Sequence, residues 1–136
     1  MHEVGILLRL KHESVVKLYE TFETNRHMIL TMELCAGGDL LNFVRKRKKL
    51  DEGVSKVIFK QLIEGLQYIH KKRILHRDIK LDNILLDGKG NVKIADFGFS
   101  CIFDPNDGLD TIIGTPLYMA PEILKKEVYN TAHPRA

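Results

Sequence analysis

The sequence has few cysteines, no long hydrophobic run and little net charge. Its 136 residues include only two cysteines, Cys35 and Cys101, which excludes a disulfide framework and favours a reducing compartment inside a cell. No run of about 18 apolar residues is present, so the sequence predicts no transmembrane helix. The first residues lack the features of a secretory signal. We therefore expect a cytoplasmic protein, with a nuclear location left open.

Charge and composition exclude further classes of protein. The 21 Lys and Arg residues against 18 Asp and Glu give a net charge of +3, which is too small to indicate nucleic-acid binding. One basic run covers residues 45–49, but it carries no aromatic side chains for base stacking. We expect neither a nucleic-acid partner nor a membrane partner. With 44% hydrophobic and 29% charged residues, the chain is typical of one folded domain rather than of disordered or collagen-like proteins.

The spacing of apolar residues in the first third of the chain predicts a mixture of helix and strand. Residues 3–10 have the pattern of the end of an amphipathic helix. Residues 15–22 and 27–34 are rich in β-forming side chains, and the polar residues between them predict a hairpin. Residues 39–46 predict a short helix after a glycine-rich connector.

The middle of the chain predicts one long helix and a second hairpin. Asp51 has the position of an N-cap, and the apolar stripe that follows it comprises Val54, Val57, Ile58, Leu62, Leu66 and Ile69. Strands are predicted at residues 84–86 and 92–95, joined by a turn of the Asp-Gly type. Residues 97–115 are polar and aperiodic, and a stretch of this length without structure of its own is typical of a functional segment.

Chemistry-bearing residues concentrate between the long helix and this aperiodic stretch. The motif HRDIKLDN covers residues 76–83 and DFG covers residues 96–98; APE follows at 120–122. Asp78 supplies a carboxylate that could accept a hydroxyl proton, and Lys80 could neutralise a phosphate. Asn83 and Asp96 offer the hard oxygen ligands that Mg²⁺ prefers. Phosphoryl transfer requires mainly positioning and charge neutralisation, and these four residues would supply both.

In this order, the three motifs resemble those of the eukaryotic serine/threonine protein kinases. The resemblance covers residues 1–131, with a small-lobe remnant at 1–34 and a large-lobe remnant at 35–131, and leaves 132–136 as a non-matching tail. It implies an incomplete α+β kinase-like fold, from the helix-C glutamate to just past the APE motif. It also implies transfer of the γ-phosphoryl group of ATP, with Mg²⁺, to serine or threonine hydroxyls of a protein. The residues around the motifs are similar to those of calcium/calmodulin-dependent and autophagy-initiating kinases.

The resemblance implies a catalytic role at each matching position. Asp78 would be the catalytic base, assisted by Lys80, while Asn83 and Asp96 would be the metal ligands. Thr115 would hydrogen-bond both Asp78 and Lys80. The adenosine part of ATP would lie against six residues: Met32 as the gatekeeper, Glu33, Leu34 and Cys35 as the hinge, Asp39 at the ribose, and Leu85 under the adenine ring.

Regulatory positions are implied in the same way. Glu3 matches the helix-C glutamate, and Thr111 matches the phosphosite of the activation loop, where an upstream kinase would act. A phosphate at Thr111 would add about −1.5 to −2 charge, and Arg77 would be its natural partner. The resemblance also implies a regulatory spine of stacked side chains, formed by Leu7, Leu18, His76 and Phe97.

Two parts of the kinase pattern do not occur in this sequence. No Gly-x-Gly-x-x-Gly loop and no Val-Ala-x-Lys strand precede Glu3, so Glu3 has no lysine partner here. We therefore expect the isolated chain to be inactive or nearly so. Two functions stay open: a fragment of an active serine/threonine kinase, or a catalytically inactive kinase-like binding module. The intact set of Asp78, Lys80, Asn83 and Asp96 favours the enzyme.

Overall fold

The structure is a computed structural model that describes residues 2–106 and 108–129, so the predicted tail at 132–136 lies outside the described residues. Its helices are α1 (His2–Leu7), α2 (Leu40–Arg47), α3 (Glu52–Lys71) and α4 (Pro121–Leu124). Its strands are β1 (Leu18–Glu23), β2 (Met28–Met32), β3 (Gly38–Asp39), β4 (Ile74–Leu75), β5 (Ile84–Leu86), β6 (Val92–Ile94) and β7 (Cys101–Ile102). Short 3₁₀ turns occupy Leu81–Asn83 and Pro116–Tyr118.

The N-terminal part consists of α1 and the antiparallel pair β1–β2. The predicted hairpin is confirmed, with strands that begin at Leu18 and Met28 rather than at 15 and 27. Thr24 closes its turn: the hydroxyl donates to the His27 carbonyl at 3.0 Å and accepts from the His27 N–H at 2.9 Å. Most of the hairpin lies at the surface, since only Leu18 of β1 is buried.

Aspartate N-caps start the two longer helices, as the sequence predicts for the second of them. The Asp39 carboxylate accepts from the Asn42 N–H at 2.8 Å, and Asp51 accepts from the Val54 N–H at 2.9 Å. Each cap satisfies one backbone donor that the first helical turn leaves without a partner. The caps therefore fix where α2 and α3 begin.

Helix α3 packs against β6 at a glycine. A Cβ atom added at Gly65 would lie 2.8 Å from Ile94 Cδ1, so only glycine permits this approach without a shift. Ile58 and Ile69 are buried on this face, as predicted. The prediction for Val57 is wrong, because its side chain is 56% exposed. Successive helical residues lie about 100° apart, so burying Ile58 turns Val57 away from the core.

Two small sheets complete the architecture. Strands β3, β5 and β6 form an antiparallel sheet in that order, and its β5–β6 hairpin is predicted from the sequence. The pair β4–β7 is also antiparallel and joins the end of α3 to the stretch after the DFG motif. That stretch was predicted to be aperiodic throughout, and β7 corrects this prediction. Neither β4 nor β7 is long enough to show a period of two.

The hydrophobic core lies between α1, α3, the β5–β6 hairpin and the chain segments next to them. Its most deeply buried members are at most 1% exposed: Ile6, Ile69, Ile74, Ile84, Val92, Ile94 and Phe97. Burial of each large side chain is worth roughly 1.5–3 kcal/mol. Cys35 and Cys101 are free thiols. No helix in the described ranges has both the length and the apolar character needed to cross a membrane.

Candidate active site

The catalytic loop brings a carboxylate, an ammonium group and a hydroxyl into one network. Asp78 is 7% exposed, and its Oδ1 accepts a hydrogen bond from Thr115 Oγ1 at 2.7 Å. Lys80 Nζ donates to the same Thr115 oxygen at 2.9 Å and lies 3.7 Å from Asp78 Oδ2. Both hydrogen bonds that the resemblance implied for Thr115 are therefore present. Thr115 is 37 residues from Asp78 in sequence, so the network joins two separate segments of the chain.

Asn83 is positioned by Asp78. Its amide Nδ2 donates to the Asp78 carbonyl at 2.9 Å and to Asp78 Oδ2 at 3.1 Å. This geometry leaves Asn83 Oδ1 available as an acceptor or a metal ligand. The Asn83 carbonyl accepts from the Ala95 N–H at 2.9 Å, which places the catalytic loop beside the residue preceding Asp96.

The donor set at this site suits Mg²⁺. Asp96 is exposed, and among the described residues its Oδ1 accepts only from the Gly98 N–H, at 3.2 Å, so the carboxylate keeps oxygen lone pairs for a cation. Asn83 Oδ1 is a second hard oxygen donor, and Mg²⁺ commonly takes one or two protein ligands with phosphate and water oxygens. No cluster of three His, Cys, Asp or Glu side chains that could hold a metal occurs in the part of the chain that the structure describes.

His76 connects the catalytic loop to the segment that carries Asp96. Its Nδ1 accepts from the Asp78 N–H at 3.2 Å, so the proton of the neutral ring is on Nε2, which donates to the Ala95 carbonyl at 2.7 Å. The ring is 2% exposed. Burial lowers the pKa of His76 below its usual value, against smaller raising effects of the Ala95 bond and the charges of Asp96 and Asp78. His76 therefore stays neutral and holds the loop in place.

Two residues of the site have left-handed backbone conformations. Arg77 has φ 68° and Asp96 has φ 56°, which is uncommon for residues other than glycine. Such conformations cost about 1–3 kcal/mol each and persist where the surrounding structure holds them. Arg77 is held by its Nε, which donates to the Phe99 carbonyl at 2.7 Å. The strain lies at Arg77, next to the predicted base Asp78, and at the predicted metal ligand Asp96.

The predicted nucleotide residues lie around the β3-β5-β6 sheet and the segment after β2. Asp39 and Leu85 are register partners, so they lie side by side. Asp39 also has a structural role, since Asn42 occupies both of its carboxylate oxygens at 2.8 Å. Leu34 is 83% exposed and Met32 is 43% exposed. The ribose and adenine roles of these residues stay predictions.

The predicted hinge, residues 33–35, is held by an ion pair and two hydrogen bonds of Glu33. Glu33 Oε1 lies 2.9 Å from Lys93 Nζ, with the two side chains 20% and 12% exposed. Glu33 Oε2 accepts from the Lys17 N–H at 3.2 Å, and the Glu33 N–H donates to the Lys17 carbonyl at 2.8 Å. Burial, followed by the charge of Glu33, raises the pKa of the Cys35 thiol, which favours its neutral form.

A comparison with protein-family models matches the description "Protein kinase domain" over residues 1–133. The chain belongs to the protein kinase family. It is 39% identical over 127 residues to the human NUAK family SNF1-like kinase 2, covering 93% of this chain and 20% of that protein. It is 42% identical over 137 residues to CBL-interacting protein kinase 4 of Oryza sativa subsp. japonica, covering 97% of this chain and 30% of that protein.

These relatives are serine/threonine protein kinases, so the predicted family, kinase-like α+β fold and enzyme class are confirmed. The mouse NUAK family SNF1-like kinase 1 is 38% identical over 127 residues. The chain spans between 19% and 30% of the length of these relatives. The resemblance to calcium/calmodulin-dependent and autophagy-initiating kinases stays a prediction.

The residues predicted to regulate this kinase domain lie on both sides of the DFG turn. A Cβ atom added at Gly98 would lie 4.0 Å from Glu3 Oε2, so the Glu3 carboxylate faces the turn. Glu3 forms no ion pair with any residue that the structure describes. Phe97 is fully buried and packs edge-on against His76, with ring centroids 4.9 Å apart. Leu7 and Leu18 are buried as well, although the spine role itself stays a prediction.

Tyr129 is a contact residue that sequence reasoning missed. It is buried, and its backbone pairs with Leu109 through two hydrogen bonds of 2.7 Å. Its hydroxyl donates to the Thr111 carbonyl at 2.9 Å and accepts from Arg77 Nη1 at 3.4 Å. The exposed Thr111 is thus connected to Arg77 through Tyr129. No motif marks Tyr129, because its partners are 18 and 52 residues away in sequence.

Proposed function

We propose that this kinase domain transfers the γ-phosphoryl group of ATP, with Mg²⁺, to serine or threonine hydroxyls of a protein. The observation that carries the proposal is the closed network of Asp78, Thr115 and Lys80, with Oγ1 of Thr115 within 2.9 Å of both charged groups. A carboxylate held next to an ammonium group meets the two needs of phosphoryl transfer, positioning of the acceptor and neutralisation of charge.

Each residue of the network has a distinct part in the proposed reaction. The Asp78 carboxylate orients the acceptor hydroxyl and takes its proton as the phosphoryl group is transferred. The Lys80 ammonium stabilises negative charge on the phosphoryl oxygens. Asn83, fixed by Asp78, and Asp96 would hold Mg²⁺, which when bound supplies charge neutralisation at the phosphates. The hinge and Leu85 would position the adenosine.

A protein acceptor is supported by the surface next to Asp78. A cavity of about 240 Å³ is lined by Asp78 and Thr115 together with Ile113, Tyr118, Met119 and Ile123. Leu117, which precedes the lining residue Tyr118 in sequence, is 91% exposed. An apolar depression next to Asp78, the proposed catalytic base, suits the side chain of a polypeptide more than a small polar acceptor.

The proposal is tested by changing Thr115 in the full natural protein. Thr115→Ala removes a hydroxyl that bonds two charged groups, and such bonds are worth about 1.5–3 kcal/mol. We expect kcat/KM for a peptide substrate to fall about 10- to 100-fold. Thr115→Ser keeps the oxygen and should remain close to the unaltered protein. Equal rates for the alanine and serine variants would contradict the proposed role of the network.

We also propose Thr111 as the site at which an upstream kinase activates this domain. Thr111 is exposed, and its backbone carbonyl is connected to the Arg77 guanidinium through the Tyr129 hydroxyl. A phosphate there could form a charge-assisted bond with Arg77. Phosphosite mapping of an active preparation should find Thr111 modified, and Thr111→Ala should lower activity. An active preparation with unmodified Thr111 would refute this assignment.

A further inference from the structure

Lys93 lies on β6, a strand that contacts the predicted hinge and is followed closely by Asp96. It is the middle residue of β6, opposite Leu85 of β5, which in turn is opposite Asp39 of β3. Three residues further along the chain comes Asp96. The Lys93 side chain is 12% exposed, and its Nζ lies 2.9 Å from the Glu33 carboxylate. One strand therefore connects the hinge contact at Glu33 with the segment that carries Asp96.

Further contacts of Glu33 hold the backbone of the predicted hinge. The N–H of Glu33 is bonded to the Lys17 carbonyl, while its second carboxylate oxygen accepts from the Lys17 N–H. Its own carbonyl has only the Cys35 thiol as a partner within the described residues, at 4.0 Å. The Cys35 N–H has no partner among those residues. The hinge thus presents one acceptor and one donor to a ligand.

We propose that Lys93 is a positioning residue for the nucleotide, which acts through Glu33 to hold the hinge acceptor and donor at a fixed distance from Asp96. This inference rests on the proposed function, since it assumes that residues 33–35 read the adenine ring. The pair is suited to this role because it is mostly shielded from water. Shielded ion pairs resist screening by salt, and loss of one partner leaves an uncompensated charge that displaces its segment.

Lys93→Met tests the proposal because it keeps an unbranched side chain one atom shorter than lysine and removes its charge. We expect the Kd for adenosine and for MgATP to rise together by about tenfold, equivalent to ~1.4 kcal/mol, with the KM for ATP rising while kcat changes little. Binding of magnesium tripolyphosphate, which has no base, should be unchanged. The separate variant Lys93→Arg should bind adenosine like the unaltered protein, because it keeps a positive charge near Glu33.

The matched control is Lys56→Met. Lys56 and Glu52 form an ion pair of similar length, 3.0 Å, but their side chains are 75% and 83% exposed. This variant should bind adenosine like the unaltered protein. If Lys93→Met does not fold, Glu33→Gln replaces it, since the glutamine retains an acceptor for the Lys17 N–H and loses only the charge.

The outcomes separate the inference from the proposed function. A full natural protein that binds neither adenosine nor MgATP would overturn the proposed function itself. Normal binding by the unaltered protein, together with unchanged adenosine affinity in Lys93→Met or Glu33→Gln, would overturn the inference alone. An equal loss for adenosine and magnesium tripolyphosphate would also overturn it, because that result indicates a general loss of structure.

Discussion

Replacement of Asp78 by asparagine is expected to lower kcat for phosphoryl transfer by about 10²- to 10⁴-fold, the usual contribution of a general base. The amide cannot take the proton of the acceptor hydroxyl. The amide has nearly the same size as the carboxylate. It also keeps an oxygen that can accept a hydrogen bond from Thr115 Oγ1, which lies 2.7 Å from Asp78 Oδ1 in the unaltered protein. The fold and the KM for ATP should therefore change little. Steady-state kinetics with a serine- or threonine-containing peptide measure the effect.

Asp82→Asn is the matched control for this variant. Asp82 belongs to the same loop, four residues after Asp78, and its side chain is exposed. The same change in charge at Asp82 should leave kcat close to that of the unaltered protein. Similar rates for the two variants would show that Asp78 is not the base.

Truncation of Phe97 is expected to have the largest effect on stability. Its side chain is fully buried and contacts the ring of His76, which holds the catalytic loop. Phe97→Ala should lower the free energy of unfolding by about 3–5 kcal/mol, the usual cost of removing a buried phenyl ring. Since whole domains are stable by only about 5–15 kcal/mol, much of the stability would be lost. Urea denaturation followed by circular dichroism measures the change.

Phe99→Ala provides the comparison within the same segment. Phe99 is 46% exposed, and its contact with Arg77 uses the backbone carbonyl, which the substitution retains. We expect a loss of about 0.5 kcal/mol, as for other surface substitutions. A cost for Phe97→Ala no greater than that for Phe99→Ala would contradict the assignment of Phe97 to the core.

The parts of the fold that depend on local chemistry could be predicted from the sequence. Asp51 caps α3 because its carboxylate reaches a backbone donor three residues away, and such a contact leaves a pattern in the sequence. The Asp-Gly turn between β5 and β6 is local in the same sense. Asp78, Asn83 and Asp96 were found because fixed spacing in the motifs reflects fixed geometry in the site.

The parts that depend on distant contacts could not be predicted. β4 and β7 have two residues each and exist only because Ile74 and Leu75 meet Ile102 and Cys101. Tyr129 and Lys93 also carry no local pattern. Their importance arises from partners 18 to 60 residues away, Thr111 and Glu33 among them. The dual position of Asp39, at an N-cap and beside Leu85, likewise required the register of the sheet.

The most direct test of the central claim is phosphoamino-acid analysis after incubating the full natural protein with radiolabelled ATP and a mixed peptide substrate. We predict phosphoserine or phosphothreonine in the product, with the label lost when Mg²⁺ is chelated and when Asp78 is replaced by asparagine. Label transfer that persists in Asp78→Asn would contradict the assigned chemistry. Absence of transfer by a protein phosphorylated at Thr111 would contradict the enzyme and favour the kinase-like binding module.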